Sequence, residues 1–362
     1  MYSSLGDEQM MVIQSLNFSD QTTFENLALS GNFTEPTTET WLTATISAFI
    51  VALGFFARYS WMVTGIIGIP GNILTLIISL QKKNRTISTC CYMAAVAVGD
   101  TLMLLQMMWV HSVIYWWGGE GKPSQLMLQF GWFQGSTSAM FSSFALAQMS
   151  IDRLIVVQFP MSATRLCTQE RANKTVVTTF VLCCIFNLQM FFVYRYRRED
   201  DTLIHADIPG HPVLKNVVLI VHFITSTIIP FIIIVVCNFW IILALGRAAM
   251  KRGEMMTRNN AGSREKEERY LTRMLIVVCV AYIIISTPYR MYGIVMSAVR
   301  DIYLLDVPYW RIRYDLQYII LLYLFGNNHA VNFYLYAIGG GKKYRRDIKK
   351  LFTQISCLYR KR

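Results

Sequence analysis

Asp100 lies in the run Ala97-Val98-Gly99-Asp100-Thr101-Leu102, where most neighbours are apolar. An ionisable group in such a run is costly to bury, so it turns toward other polar groups and marks function. Asn72, within Pro70-Gly71-Asn72, and the cluster Asn327, Asn328, His329 and Asn332 interrupt other apolar runs in the same way. Asp100, Ser142, Asn328 and Asn332 together offer oxygen ligands to a monovalent cation such as sodium. The same groups equally suit a hydrogen-bonded packing network with water. The two arrangements do not exclude each other.

Charge is placed differently in Ser150-Ile151-Asp152-Arg153-Leu154. An arginine directly after a carboxylate at a helix end can pair locally or reach a neighbouring helix. Glu268, in Arg264-Glu265-Lys266-Glu267-Glu268-Arg269, opens a later apolar run on the same side. An Arg153–Glu268 pair would tie two helices together, and breaking it would free them. A solvated charge run is the other reading of this segment. Arg290 follows Pro288 by two residues and is flanked by Tyr289 and Tyr292. A buried arginine needs an anion, a carbonyl or water. No acid stands at comparable depth in the neighbouring runs, which leaves a ligand carboxylate or carbonyl, or a side chain that snorkels to the interface.

Catalysis has little to work with. The chain contains no GxSxG, no HExxH and no Gly-rich phosphate loop. His205 and His211 share one loop without the cysteines or acid spacing of a metal site. We expect neither an enzyme nor a metal centre; sodium at Asp100 is the one candidate ion.

Long apolar runs must position these residues. Of 362 residues, 54% are hydrophobic and only 15% are charged, against about a quarter charged in soluble domains. A membrane-crossing helix needs about 20 apolar residues. Seven runs qualify: roughly 59–81, 90–116, 126–158, 173–194, 214–246, 272–299 and 315–338. They are continuous rather than alternating, so they predict helices and not barrel strands. The fold expected is an all-α membrane protein, a bundle of seven transmembrane helices. Residues 41–57 are also apolar; they either extend the first helix outward, the reading favoured here, or form a marginal eighth span. Pro230 and Pro288 predict kinks in the fifth and sixth helices. Three parts follow: a tail with its apolar lead-in at 1–58, the helical domain at 59–338, and a basic tail at 339–362.

The net charge of +12 does not describe a nucleic-acid binder, because it is segregated. Residues 1–40 carry Asp7, Glu8, Asp20, Glu25, Glu35 and Glu39 and no Lys or Arg, whereas 342–362 carry nine basic residues and one acid, Asp347. The loop at 81–89, the end of the third run, the segment 246–273 and the tail hold 24 basic residues against eight on the other side. Basic loops face the cytoplasm, so the expected protein is a multi-pass plasma-membrane protein with an extracellular N-terminus and a cytoplasmic C-terminus. Asn17-Phe18-Ser19 and Asn32-Phe33-Thr34 are then glycosylation sequons at Asn17 and Asn32 on the outer side. No cleavable signal peptide is expected, and the first span serves as the targeting signal. Every cysteine falls in a helix or on the cytoplasmic side, so no extracellular disulfide is expected. From Lys342 to Phe352, apolar Tyr344, Ile348, Leu351 and Phe352 share one face between basic flanks. That pattern predicts a short amphipathic eighth helix on anionic membrane lipid, with Cys357 as a palmitoylation site just beyond.

In order and spacing these motifs resemble the rhodopsin-like (class A) G protein-coupled receptors, over about residues 59–357. Asn72 and Asp100 match the family's first-helix asparagine and second-helix aspartate. Asp152-Arg153-Leu154 is similar to its Asp-Arg-Tyr, with Leu for Tyr; Pro230 and Pro288 match its helix prolines. Asn332-Phe333-Tyr334-Leu335-Tyr336 is similar to Asn-Pro-x-x-Tyr, with Phe for Pro, and Lys342–Phe352 to its eighth helix. The resemblance implies that Asp152 and Arg153, with Glu268 and Tyr336, govern opening of the cytoplasmic face to a heterotrimeric G protein.

Departures narrow what it implies. Leu128 stands at the family's third-helix cysteine, Ser286 at its sixth-helix tryptophan and Asn238 at its fifth-helix tyrosine, and the fourth helix lacks its tryptophan. Gly135 stands where amine receptors carry an aspartate and Gly326 where opsins carry the retinal lysine, so neither an amine ligand nor retinal is expected. The remaining pattern is closest to neuropeptide receptors, in which Arg290, His222, Gln134, Gln317 and Tyr289 would receive an amidated or carboxylated peptide end. A transporter or channel is the rival class; it needs paired repeats with interrupted helices, and no internal repeat is visible.

Overall fold

The structure, a computed structural model, describes residues 38–116, 124–197, 202–205, 212–254, 272–289, 291–292, 308–339 and 341–360. Asn17, Asn32, His211, Glu268 and Arg290 lie outside them.

Helix α1 runs Thr38–Leu80, so the segment 41–57 extends the first helix and is no separate span. At 1.5 Å per residue it is ~65 Å long, about twice the hydrocarbon thickness. Then come α2 (Ser88–Trp116), α3 (Gln125–Gln158), a two-turn helix (Pro160–Leu166) and α4 (Gln169–Asn187). The N-termini of α3 and α4 are capped by hydroxyls: Ser124 Oγ accepts from Met127 N–H and Thr168 Oγ1 from Arg171 N–H. The fifth helix, α5, is Pro212–Phe223 and Ile229–Glu254 joined by a π-helical turn at Ile224–Ile228. Proline has no N–H and its ring crowds the carbonyl four residues back. The wider turn directly before Pro230 accommodates it, with Ile229 N–H bonded to Ile224 O. The expected irregularity of α5 is this bulge. Helix α6 spans Thr272–Tyr289, α7 Pro308–Gly339 and α8 Gly341–Arg360.

One departure from an all-α chain is a small hairpin between α4 and α5. Strands β1 (Tyr194–Arg197) and β2 (Thr202–His205) pair antiparallel, Tyr194 opposite His205. Tyr194-Arg195-Tyr196-Arg197 alternates with the period of a strand, a signal hidden by the end of the fourth apolar run.

Among the described residues six helices are long and apolar enough to cross a membrane: Tyr59–Leu80, Ser88–Trp109, Gln125–Gln158, Gln169–Phe192, Ile220–Arg247 and Thr272–Tyr289. Helix α7 is long enough, but Asn327, Asn328, His329 and Asn332 dilute its apolar run. In the bundle α2 lies between α1 and α3, α3 packs on α4 and α5, and α7 closes against α1 and α2. The interior holds buried polar side chains within an apolar core, and the exterior is apolar. Asp100, Asn72, Asn187 and His329 are fully buried, while Ile66, Val177, Leu182, Ile220, Ile242 and Ile284 point outward. A soluble protein would have a polar exterior; in lipid the apolar exterior has no cost and the backbone is satisfied inside each helix.

Candidate functional site

Two polar constellations occupy the bundle, one in its middle and one at its basic end. In the middle, α2 carries Asp100 to the centre at 0% exposure. Its Oδ1 accepts from Ser142 Oγ on α3 and meets His329 Nδ1 on α7, each at 2.6 Å. Its Oδ2 accepts from Asn332 Nδ2 at 2.6 Å. His329 and Asn332 are three residues apart, so one face of α7 delivers both. Asn72 on α1 donates Nδ2–H to the carbonyl of His329 at 2.9 Å. The expected network of Asn72, Asp100, Ser142 and Asn332 is therefore one connected cluster. Asn328 is buried nearby in sequence but is not among the groups bonded to Asp100. Sequence reasoning placed His329 in the polar run without a partner; its spacing from Asn332 was the signal.

At the basic end, Arg153 is 3% exposed. Its Nη2 and Nε donate to Asp152 Oδ2 at 3.0 and 3.3 Å. Of the two pairings open to Arg153, the local one is formed. The same Oδ2 accepts from Thr89 Oγ1 at the start of α2, at 2.8 Å. A guanidinium this deep needs such a counter-charge, and the carboxylate needs its donors. Thr89 was not foreseen. Further bonds tie the helices together here and deeper in the bundle. Asn238 on α5 donates to Ser150 Oγ at 3.4 Å, Tyr282 on α6 donates to Ser143 Oγ at 3.1 Å, and Arg273 on α6 donates Nε–H to Gly339 O on α7 at 3.0 Å. Tyr336, read as a switch residue, is 1% exposed and its hydroxyl has no hydrogen-bond partner. Its ring lies 6.3 Å from that of Tyr344 on α8, whose hydroxyl meets Thr75 Oγ1 on α1 at 3.3 Å. Burial pushes the Tyr344 phenol up. Beside Asp152, Cys167 donates Sγ–H to the Asp152 carbonyl at 3.6 Å. Burial, reinforced by the Asp152 carboxylate, pushes this thiol up to about 12.

The residues read as ligand contacts are engaged within the bundle. Gln134 donates Nε2–H to Leu102 O at 2.9 Å and to Ser138 Oγ at 3.0 Å. His222 Nε2 meets Asn187 Oδ1 at 3.1 Å, and its ring stacks on Phe186. Tyr289 stacks on Phe325, with centroids 5.0 Å apart. Gln317 Oε1 accepts from Tyr292 OH at 3.2 Å. Tyr289 thus joins α6 to α7, Gln317 ties α7 to Tyr292 just beyond α6, and His222 joins α5 to α4. Gly326 is close-packed: a Cβ there would collide with the indole of Trp61. The described cysteines, Cys90, Cys91, Cys167, Cys183, Cys184, Cys237 and Cys279, are free thiols.

Seven helices around a buried carboxylate, with an arginine held at one end, define a transmembrane receptor bundle. Residues 71–331 match the family described as 7 transmembrane receptor (rhodopsin family), and the chain belongs to that family, which is one of receptors and not of enzymes. It is similar to the cysteinyl leukotriene receptor 1 of Homo sapiens (25% identical), of Sus scrofa (26%) and of Cavia porcellus (25%). Each alignment spans 233 residues, 62% of this chain and 64% of the relative. The chain therefore covers just under two thirds of the length of these relatives.

Proposed function

We propose that this chain is a plasma-membrane receptor that carries an extracellular signal to a heterotrimeric G protein. The observation that carries the reading is Arg153, buried at the basic end of the bundle and held by Asp152 and Thr89. In this account the basic end is cytoplasmic, the N-terminal tail is outside with glycans on Asn17 and Asn32, and α8 lies on anionic lipid, anchored through Cys357. The pair is the resting lock. A ligand bound at the far end favours an arrangement in which Arg153 leaves Asp152 and a cleft opens beside α6. Glu268 and Tyr336 are the further partners of Arg153. A ligand shifts this balance only by its differential affinity for the two arrangements.

The ligand we propose is a peptide whose carboxylate or amide end meets Arg290 near Tyr289 and Gln317. His222 and Gln134 support the wall of that site. A second reading, a leukotriene-like lipid, is favoured by the names of the relatives. Cells expressing the chain, exposed to peptide and lipid libraries, should show ligand-stimulated nucleotide exchange on a Gα subunit. Arg290→Ala should weaken a carboxylate-bearing agonist about tenfold or more, the loss of one charge-assisted bond. Ion flux without nucleotide exchange would instead favour a channel or transporter.

A further inference from the structure

A cation held by a buried carboxylate needs oxygen lone pairs directed at it from the surrounding groups. Asp100 meets the reverse. Ser142, His329 and Asn332 all direct hydrogen toward it, each at 2.6 Å. The Ser142 distance is that of a hydroxyl bonded to a carboxylate. Because a carboxylate can only accept, His329 Nδ1 carries its hydrogen toward Oδ1, in the position an ion at that oxygen would take. Asn332 turns its amide nitrogen, not its oxygen, to the same carboxylate. Asn328, the remaining oxygen donor of the expected set, is not bonded to Asp100.

The imidazole is also held there. His329 is 1% exposed, and its ring stands edge-on to Phe325, with centroids 5.3 Å apart at 85°. Its carbonyl accepts from Asn72 on α1. Swinging the ring aside to admit an ion would break its bond to Asp100 in a close-packed interior, where displaced side chains have nowhere to go.

We propose that His329 takes the place of a metal cation at Asp100, so that the core of this bundle binds no sodium. Donors from α3 and α7 occupy both oxygens of Asp100 without an ion. The proposal goes beyond the receptor reading, since it concerns the closed polar core whatever ligand or partner the chain serves.

The test therefore uses neither ligand nor G protein. The full chain in lipid nanodiscs is melted in sodium chloride and in N-methyl-D-glucamine chloride at equal ionic strength. The wild type should have the same Tm in both. His329→Ser removes the ring, leaves space beside Oδ1 and adds a hydroxyl oxygen; it should gain a sodium-specific rise of roughly 2–4 °C. If H329S yields no folded protein, H329N replaces it, with the same expectation. A sodium-specific rise in the wild type that Asp100→Asn abolishes would overturn the proposal. So would a folded His329 variant with no sodium response.

Discussion

Thr89→Val is the sharpest probe of the lock at the basic end. The substitution keeps the β-branched shape and removes only the hydroxyl, which is fully buried and donates to Asp152 Oδ2 at 2.8 Å. A bond to a charged acceptor contributes about 1.5–3 kcal/mol. If it forms only in the resting arrangement, its loss shifts the balance toward the open one by that amount. Since about 1.4 kcal/mol is tenfold in an equilibrium constant, basal activity should rise about tenfold or more. The assay is ligand-free nucleotide exchange by a panel of heterotrimeric G proteins, in membranes with matched surface expression. Thr89→Ser, which restores the donor, should return exchange close to wild type. Unchanged basal exchange in T89V, together with a lower Tm, would mean that the bond supports both arrangements equally and that the lock lies elsewhere.

Other expectations follow from the same geometry. Gly326→Ala forces a methyl into the indole of Trp61 and should cost about 1–3 kcal/mol, seen as a lower Tm and less folded protein at the surface. Cys167 should resist maleimide at pH 8. With its thiol pushed up to about 12, its thiolate fraction is about a thousandfold below that of a free cysteine, and mass spectrometry of its peptide would reveal any rapid labelling. The raised value also means that its neutral form is favoured by the fold, so this contribution is present below the ordinary thiol range and is lost as pH rises through about 12.

The spans were legible because lipid demands about 20 apolar residues whatever the neighbours, and α2, α3 and α7 begin and end within a few residues of expectation except for the outer extension of α7. The extension of α1 to Thr38 was legible because no turn residues part 41–57 from the next run. Asp100, Asn72 and Asn332 stood out as polar residues in apolar surroundings. Thr89 and His329 did not receive their roles from sequence, because their partners lie 63 and 229 residues away. A threonine near a helix start and a histidine in a polar run fit many neutral roles until the fold brings a carboxylate to each. The engagement of Gln134 and His222 by neighbouring helices was hidden for the same reason. The π-turn before Pro230 was readable only as an irregularity, because proline dictates that the helix yields and not how.

The account stands on a chain threaded an odd number of times through the membrane with its basic end inside. Epitope tags on the N-terminal tail and after Arg362, stained in intact and in permeabilised cells, test this most directly. The N-terminal tag should be reached in intact cells and the C-terminal tag only after permeabilisation. Both tags reached from the same side would contradict it.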